Sequence, residues 1–194
     1  MAARLLTLTA VLVLIVGNLS GDDKKGGPPD MEGMMKHATP GDAHKVFEHF
    51  AGKWEYKLKM WMDPSAPPVE MAGTADSKLL MDGRFFSDHV KSAEGSPMPF
   101  EGRGWQGYDN HKKKYWYSWI DSMTTSLTIG EGAWDPKAKT MTWMSEGFNP
   151  MVGANVKMKE IAKVNADGTI HKTFFKFEGG KETKEMEISL TKAK

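Results

Sequence analysis

From Trp54 to the C-terminus, apolar and polar residues alternate with a period of two, and turn residues interrupt the alternation at short intervals. Trp54, Tyr56, Leu58 and Met60 alternate with Glu55, Lys57 and Lys59. Near the end, Met186, Ile188 and Leu190 alternate with Glu185, Glu187, Ser189 and Thr191. Successive side chains of a strand point to opposite faces, so this pattern describes strands with one buried face. Further strands are expected near 70–81, 84–92, 99–107, 114–121, 125–134, 139–147, 156–164 and 169–178. They are separated by the turn sequences MDGR, YDNHK, WDPK, NADG and EGGK. Consecutive hairpins with no long helix make an antiparallel meander. So long a meander closes on itself, because open sheet edges invite association. The expected fold is therefore all-β, an antiparallel up-and-down barrel of about eight to ten strands around one apolar interior. A short helix precedes it, with Asp42 as cap, Val46, Phe47 and Phe50 on its apolar face, and Ala51-Gly52 as its end.

The residues ahead of that helix read as a signal and a linker. Arg4 precedes an apolar run from Leu5 to Val16. This run is shorter than the roughly 20 residues that span a bilayer. Small and polar residues suited to a signal peptidase follow it, and cleavage after Gly21 is expected. The bacterial lipoprotein cysteine is missing, because Asp22 stands in its place. The expected mature chain is exported to the periplasm or beyond, with no membrane anchor. Residues 22–41 have the composition of a flexible linker rich in Gly, Pro and Met. Their middle, DMEGMMKHA, has room for a helical turn. Met31, Met34, Met35 and His37 are soft or borderline ligands of the kind that suit Cu(I), but an apolar clasp on the domain or a loose tail is the preferred reading. Residues 42–194 are assigned to the barrel domain.

The chain has 26 basic and 25 acidic residues and no cysteine. The balanced charge argues against a nucleic-acid partner, which demands a basic face. The missing cysteines exclude disulfides and thiol chemistry, so the fold stands on packing alone.

The start of the barrel, FEHFAGKWEY, resembles the G-x-W entry of lipocalins and other calycins. In those proteins the Trp plugs the barrel base beneath a basic side chain from the last strand; here that strand offers Lys192 where they carry Arg. Four separated blocks carry a wider resemblance: PGDAHKVFEHFAGKWEYKLKMW, LLMDGRFFSDHV, PFEGRGWQGYDNHKKKYWYSWIDSMTTSLTIGEGAWD and GGKETKEMEISL. Together they are similar to the secreted bacterial family known as domain of unknown function 1579, over roughly residues 30–192. The resemblance implies a calycin-like barrel and no activity. Some calycin-like barrels hold haem through one histidine, for which His89 and His171 are the candidates. A hydrogen-bonded structural role is preferred for both, and no cofactor is expected.

The segment KYWYSWID, residues 114–121, carries large rings on both faces. Tyr115, Tyr117 and Trp119 share one face, and Trp116 and Ile120 the other. Gly102, Gly104 and Gly107 on the neighbouring strand leave room for rings. Three readings stand for the aromatic faces: core and cover, the lining of a ligand cavity, or a subunit contact. The candidate lining is Trp54, Tyr56, Arg84, Tyr115, Tyr117, Trp119, Asp121 and Phe175. Arg84 and Arg103 stand among many lysines, which suggests forked contacts to carboxylates, with Glu131 as one partner. No metal spacing, nucleophile elbow, phosphate loop or dinucleotide fingerprint is present. The expectation is a barrel that binds a small, largely apolar molecule. The alternatives are a solid interaction module, including a homodimer, and an enzyme using Arg84, Tyr108 and Asp121 at the barrel mouth.

Overall fold

The computed structural model describes residues 30–150 and 152–194. The signal sequence and most of the linker expected from the sequence lie outside the described residues. Residues 52–192 form a closed barrel of ten antiparallel strands, each paired with its neighbours in chain order, with β1 closing onto β10. The strands are β1 (Gly52–Met60), β2 (Val69–Leu80), β3 (Phe85–Ser92), β4 (Glu101–Asp109), β5 (Lys114–Asp121), β6 (Thr128–Asp135), β7 (Thr140–Asn149), β8 (Ala154–Val164), β9 (Ile170–Glu178) and β10 (Lys181–Lys192). Helix α1 (Met31–Ala38), a single turn α2 (Asp42–Lys45) and a 3-10 turn (Val46–His49) precede them.

The turn sequences act as their chemistry requires. Gly179 and Gly180, the two residues between β9 and β10, both have positive φ (56° and 79°). That is the backbone of a tight hairpin whose twist matches its strands. Asp109 Oδ1 accepts the backbone N–H groups of His111 and Lys112. Asp135 Oδ1 does the same for Lys137 and Ala138. Each aspartate thus satisfies main-chain donors that the bend leaves free.

One end of the barrel is solid. The α2 and 3-10 turns plug it, and Phe47 is fully buried there. Its ring stacks on Phe86 (5.4 Å between centroids) and meets the edge of Tyr115 (6.0 Å). Tyr115 donates its hydroxyl to Ala43 O (2.9 Å), and Trp54 donates Nε1–H to Phe50 O (2.9 Å). Lys192 lies 3.8 Å over the Trp54 ring and donates to Ala51 O (2.6 Å). A lysine therefore does here what the calycin resemblance assigns to an arginine. His44 is buried in the plug, where its Nδ1 accepts from Gly41 N (3.0 Å). Burial, the largest influence on it, holds its pKa below the ordinary histidine value.

The rings of β5 find room because glycines face them. A Cβ on Gly102 or Gly104 would fall within 3.0 Å of Trp119, one on Gly130 against Tyr117, and one on Gly107 against Trp116. Tyr115, Tyr117 and Trp119 point inward. Trp116 points outward beside Phe85 (6.1 Å). Within the expected linker, residues 31–38 form a helix that buries no residue. It does not act as an apolar clasp.

A charged belt inside the barrel as candidate functional site

Three strands place an ionisable residue in phase with their core residues. On β3, Asp88 stands between Phe86 and Val90. On β8, Glu160 stands between Met158 and Ala162, and on β9 Lys172 stands between Ile170 and Phe174. The register confirms their common face. Lys172 pairs with Ala162, Glu160 with Phe174 and Trp143, and Asp88 with Ser77 and Gly104. Alternation then forces all three side chains into the barrel, above the solid end.

Lys172 Nζ lies 3.1 Å from Glu160 Oε1. Asp88 is held by Ser77, whose hydroxyl donates to Oδ1 (2.5 Å), and by Gln106, whose amide donates to Oδ2 (3.1 Å). Tyr117 adds its hydroxyl, hydrogen-bonded to Ser145. Burial pushes the Tyr117 hydroxyl up to about 12, so it stays a neutral donor. Burial also raises Asp88, against the opposing pull of Lys172 and Ser77. For Lys172 burial opposes the charge, but the combined attraction of Glu160 and Asp88 outweighs it and raises the ammonium above its usual range. The belt holds two carboxyl groups to one ammonium.

The raised Asp88 value has a definite sign in stability. Folding favours its protonated form, so its contribution is greatest below the unfolded value of about 3.9 and declines as pH rises through the native value. Asp88→Asn, neutral at every pH, escapes that decline. Urea unfolding of both proteins at pH 4 and pH 8 is expected to show the variant gaining on the wild type at the higher pH. Parallel pH dependences would contradict the assignment.

The belt is enclosed by the barrel wall, yet two of its side chains stay partly accessible. The Lys172 side chain keeps 21% of its accessible surface and that of Glu160 keeps 15%. By contrast, the inward residues at the plugged end, among them Trp54, Phe86, Met141 and Ile170, are at most 2% exposed. Beyond the belt Val156 is buried, but Leu58, Trp119, Met158, Phe174, Lys176 and Ile188, also inward, are only partly buried. The interior is thus closely packed on the plugged side of the belt and more accessible on the other. Glu160 Oε1 is itself buried, and the Lys172 ammonium beside it is its partner.

The residues expected to line a cavity are dispersed. Trp54 and Tyr115 belong to the solid end, where their polar atoms bind plug carbonyls. Tyr56 is buried in the core around Trp54. Tyr117 reaches the belt. Trp119 and Asp121 lie towards the open end, where Trp119 Nε1 donates to Asp121 Oδ2 (2.9 Å) and Phe100 stacks on the indole. Phe175 faces outward instead, with Lys159 4.6 Å from its ring centre. It is out of phase with Ile170 and Lys172, so it lines no interior surface. Arg84 is also outside. It donates Nε to Ala38 O (2.9 Å) and Nη1 to Met81 O (2.9 Å), leaving only a 3.5 Å approach to Asp82.

Glu131 pairs with Lys114 (2.5 Å), not with an arginine, and Arg103 pairs with Glu101 (3.3 Å). Arg84 and Tyr108 lie at the plugged end and Asp121 at the other, so these three do not form one site. His89 and His171 face outward, bonded to Glu101 (2.6 Å) and near Ser189 (3.3 Å). Two shallow recesses sit at the open rim, one at Trp61, Pro64, Thr183 and Lys184, the other between Glu101–Arg103 and Ile120–Ser122. Among the described residues, no helix is long and apolar enough to cross a membrane.

No curated protein matches this chain. The fold is similar to that in the crystal structure of Rv2717c from M. tuberculosis, with a TM-score of 0.60 and 11% identity over 80% of this chain and 100% of that one. The sequence profile of the family described as "Protein of unknown function (DUF1579)" matches residues 39–192, from just before the plug to the end of β10. The chain belongs to that family.

Proposed function

We propose that this protein binds a small, largely apolar molecule in the hollow half of the barrel, with the polar end of the molecule directed at the charged belt. The supporting observation is the retained accessibility of Lys172 and Glu160 deep inside a closed wall. An apolar space floored by a few converging polar groups is the usual form of a small-molecule site. Leu58, Trp119, Met158, Phe174 and Ile188 would contact the apolar body. The Glu160 carboxylate, which can accept more than the one contact Lys172 makes to it, would accept a hydrogen bond from the polar end.

The test is native mass spectrometry on protein purified gently from its own host, followed by titration with dodecanol, an apolar chain with one donor. A retained small molecule, or saturable uptake of a single dodecanol, is expected. The bare chain mass in both experiments would overturn the reading.

A second reading, self-association, rests on the outer face of β4–β7. Trp105, Ile120, Ile129 and Met144 are 39–61% exposed there, a cluster of the kind that marks interfaces. The same spectra would show it as a dimer.

A further inference from the structure

Helix α1 poses a problem of its own. Met34 and Met35 are 59% and 55% exposed, and the helix buries nothing, so these thioethers do not serve packing. His37, near the end of the helix, lies against His111 in the β4–β5 turn, with 5.9 Å between ring centres and planes inclined at 70°. The approach is fixed by the main chain. Asn110 Nδ2 donates to His37 O (3.0 Å) and Thr39 O (2.9 Å), and Arg84 Nε donates to Ala38 O (2.9 Å). On the other side, Asp109 Oδ1 holds the turn through the His111 and Lys112 amides. Both histidines are exposed, so neither ring is needed to fill a core.

Two imidazoles that share one metal ion through bonds of about 2 Å have ring centres roughly 5 to 6.5 Å apart. The observed separation falls within that range. Met34 precedes His37 by three residues, and helical side chains at that spacing are surface neighbours. The set is therefore two imidazoles and a thioether, with no carboxylate among them; the nearby Asp109 is engaged with backbone amides. Lys112 and Lys113 in the same turn add positive charge, which disfavours a hard divalent ion. Soft thioether and borderline imidazole ligands suit monovalent copper.

We propose that His37, His111 and Met34 form a binding site for Cu(I) at the plugged end of the barrel, apart from the hollow. The helix is pinned in place by bonds that do not use the ligand atoms, so the site is organised before the ion arrives.

The experiment is an anaerobic titration of the full chain with Cu(I) in competition with bicinchoninate, whose copper complex is coloured. The wild type is expected to withdraw a single equivalent. His111→Asn and Met34→Leu should each weaken binding by at least about tenfold. Met123→Leu, which alters an exposed methionine elsewhere, should change nothing. Far-UV circular dichroism checks that the variants remain folded, as expected for surface substitutions. Failure of the wild type to take copper from the competitor would overturn the proposal, as would unchanged binding in both ligand variants. Zn(II) binding as tight as Cu(I), and indifferent to Met34→Leu, would also overturn the choice of a soft ion.

Discussion

Replacing Lys172 with methionine is expected to remove about 3–5 kcal/mol of stability at neutral pH. The ammonium stands 3.1 Å from Glu160 and within the field of Asp88, both enclosed by the same wall. Methionine nearly matches its volume and removes its charge, leaving two carboxyl groups facing each other without a cation. Burial disfavours the Asp88 anion, and loss of the cation that pairs with Glu160 adds to the cost. The loss should therefore shrink as pH falls and Asp88 takes up a proton. Adding Glu160→Leu to Lys172→Met should recover part of the stability, because an apolar pair of similar size replaces an ion pair with little penalty. Urea unfolding at pH 5 and pH 8 measures all three proteins. A loss below about 1 kcal/mol, independent of pH, would mean that water screens the belt like a surface ion pair.

Phe47→Ala is expected to cost a similar amount, about 3–5 kcal/mol. Phe47 is the central side chain of the plug, fully buried between Phe86 and Tyr115. It belongs to a four-residue 3-10 turn, which has little intrinsic stability and holds its place through this ring. Truncation leaves a cavity against two strands and frees the segment that satisfies the Trp54 and Tyr115 polar atoms. The loss should appear in the urea midpoint of the whole protein. A variant that keeps wild-type stability would show that the barrel closes without its plug.

The architecture was legible because each strand announces its own phase. The alternation in β1 and β10, the paired glycines between β9 and β10 and the aspartates of the turns all act locally, and the strand positions follow them closely. The helical segment was legible through Val46 and Phe47, but its place as a plug in the barrel end was not. The aromatic strand was legible in part: its inward rings and facing glycines are a pairwise fit that the sequence displays on adjacent strands.

The belt was not legible, for a physical reason. A lysine or carboxylate in an alternating strand is normally the mark of the wet face, so nothing in their residue type singles out Asp88, Glu160 and Lys172 as inward. Their phase with Phe86, Ala162 and Ile170 was the available signal, but in β9 it was obscured because Phe174, Phe175 and Phe177 put apolar residues on both faces. That ambiguity also put Phe175 on the wrong face. Arg84 misled differently. Its guanidinium spends its donors on carbonyls of its own turn and of residue 38, partners that no side-chain pattern reveals.

The proposed binding site requires a barrel that is packed up to the belt of Asp88, Glu160 and Lys172 and hollow beyond it. A crystal structure fine enough to place water tests it most directly. The account predicts density for water or a bound molecule against Glu160 Oε1 and Lys172 Nζ, bounded by Trp119, Met158 and Phe174. A barrel in which those three side chains close down on the belt and leave no such density would contradict it.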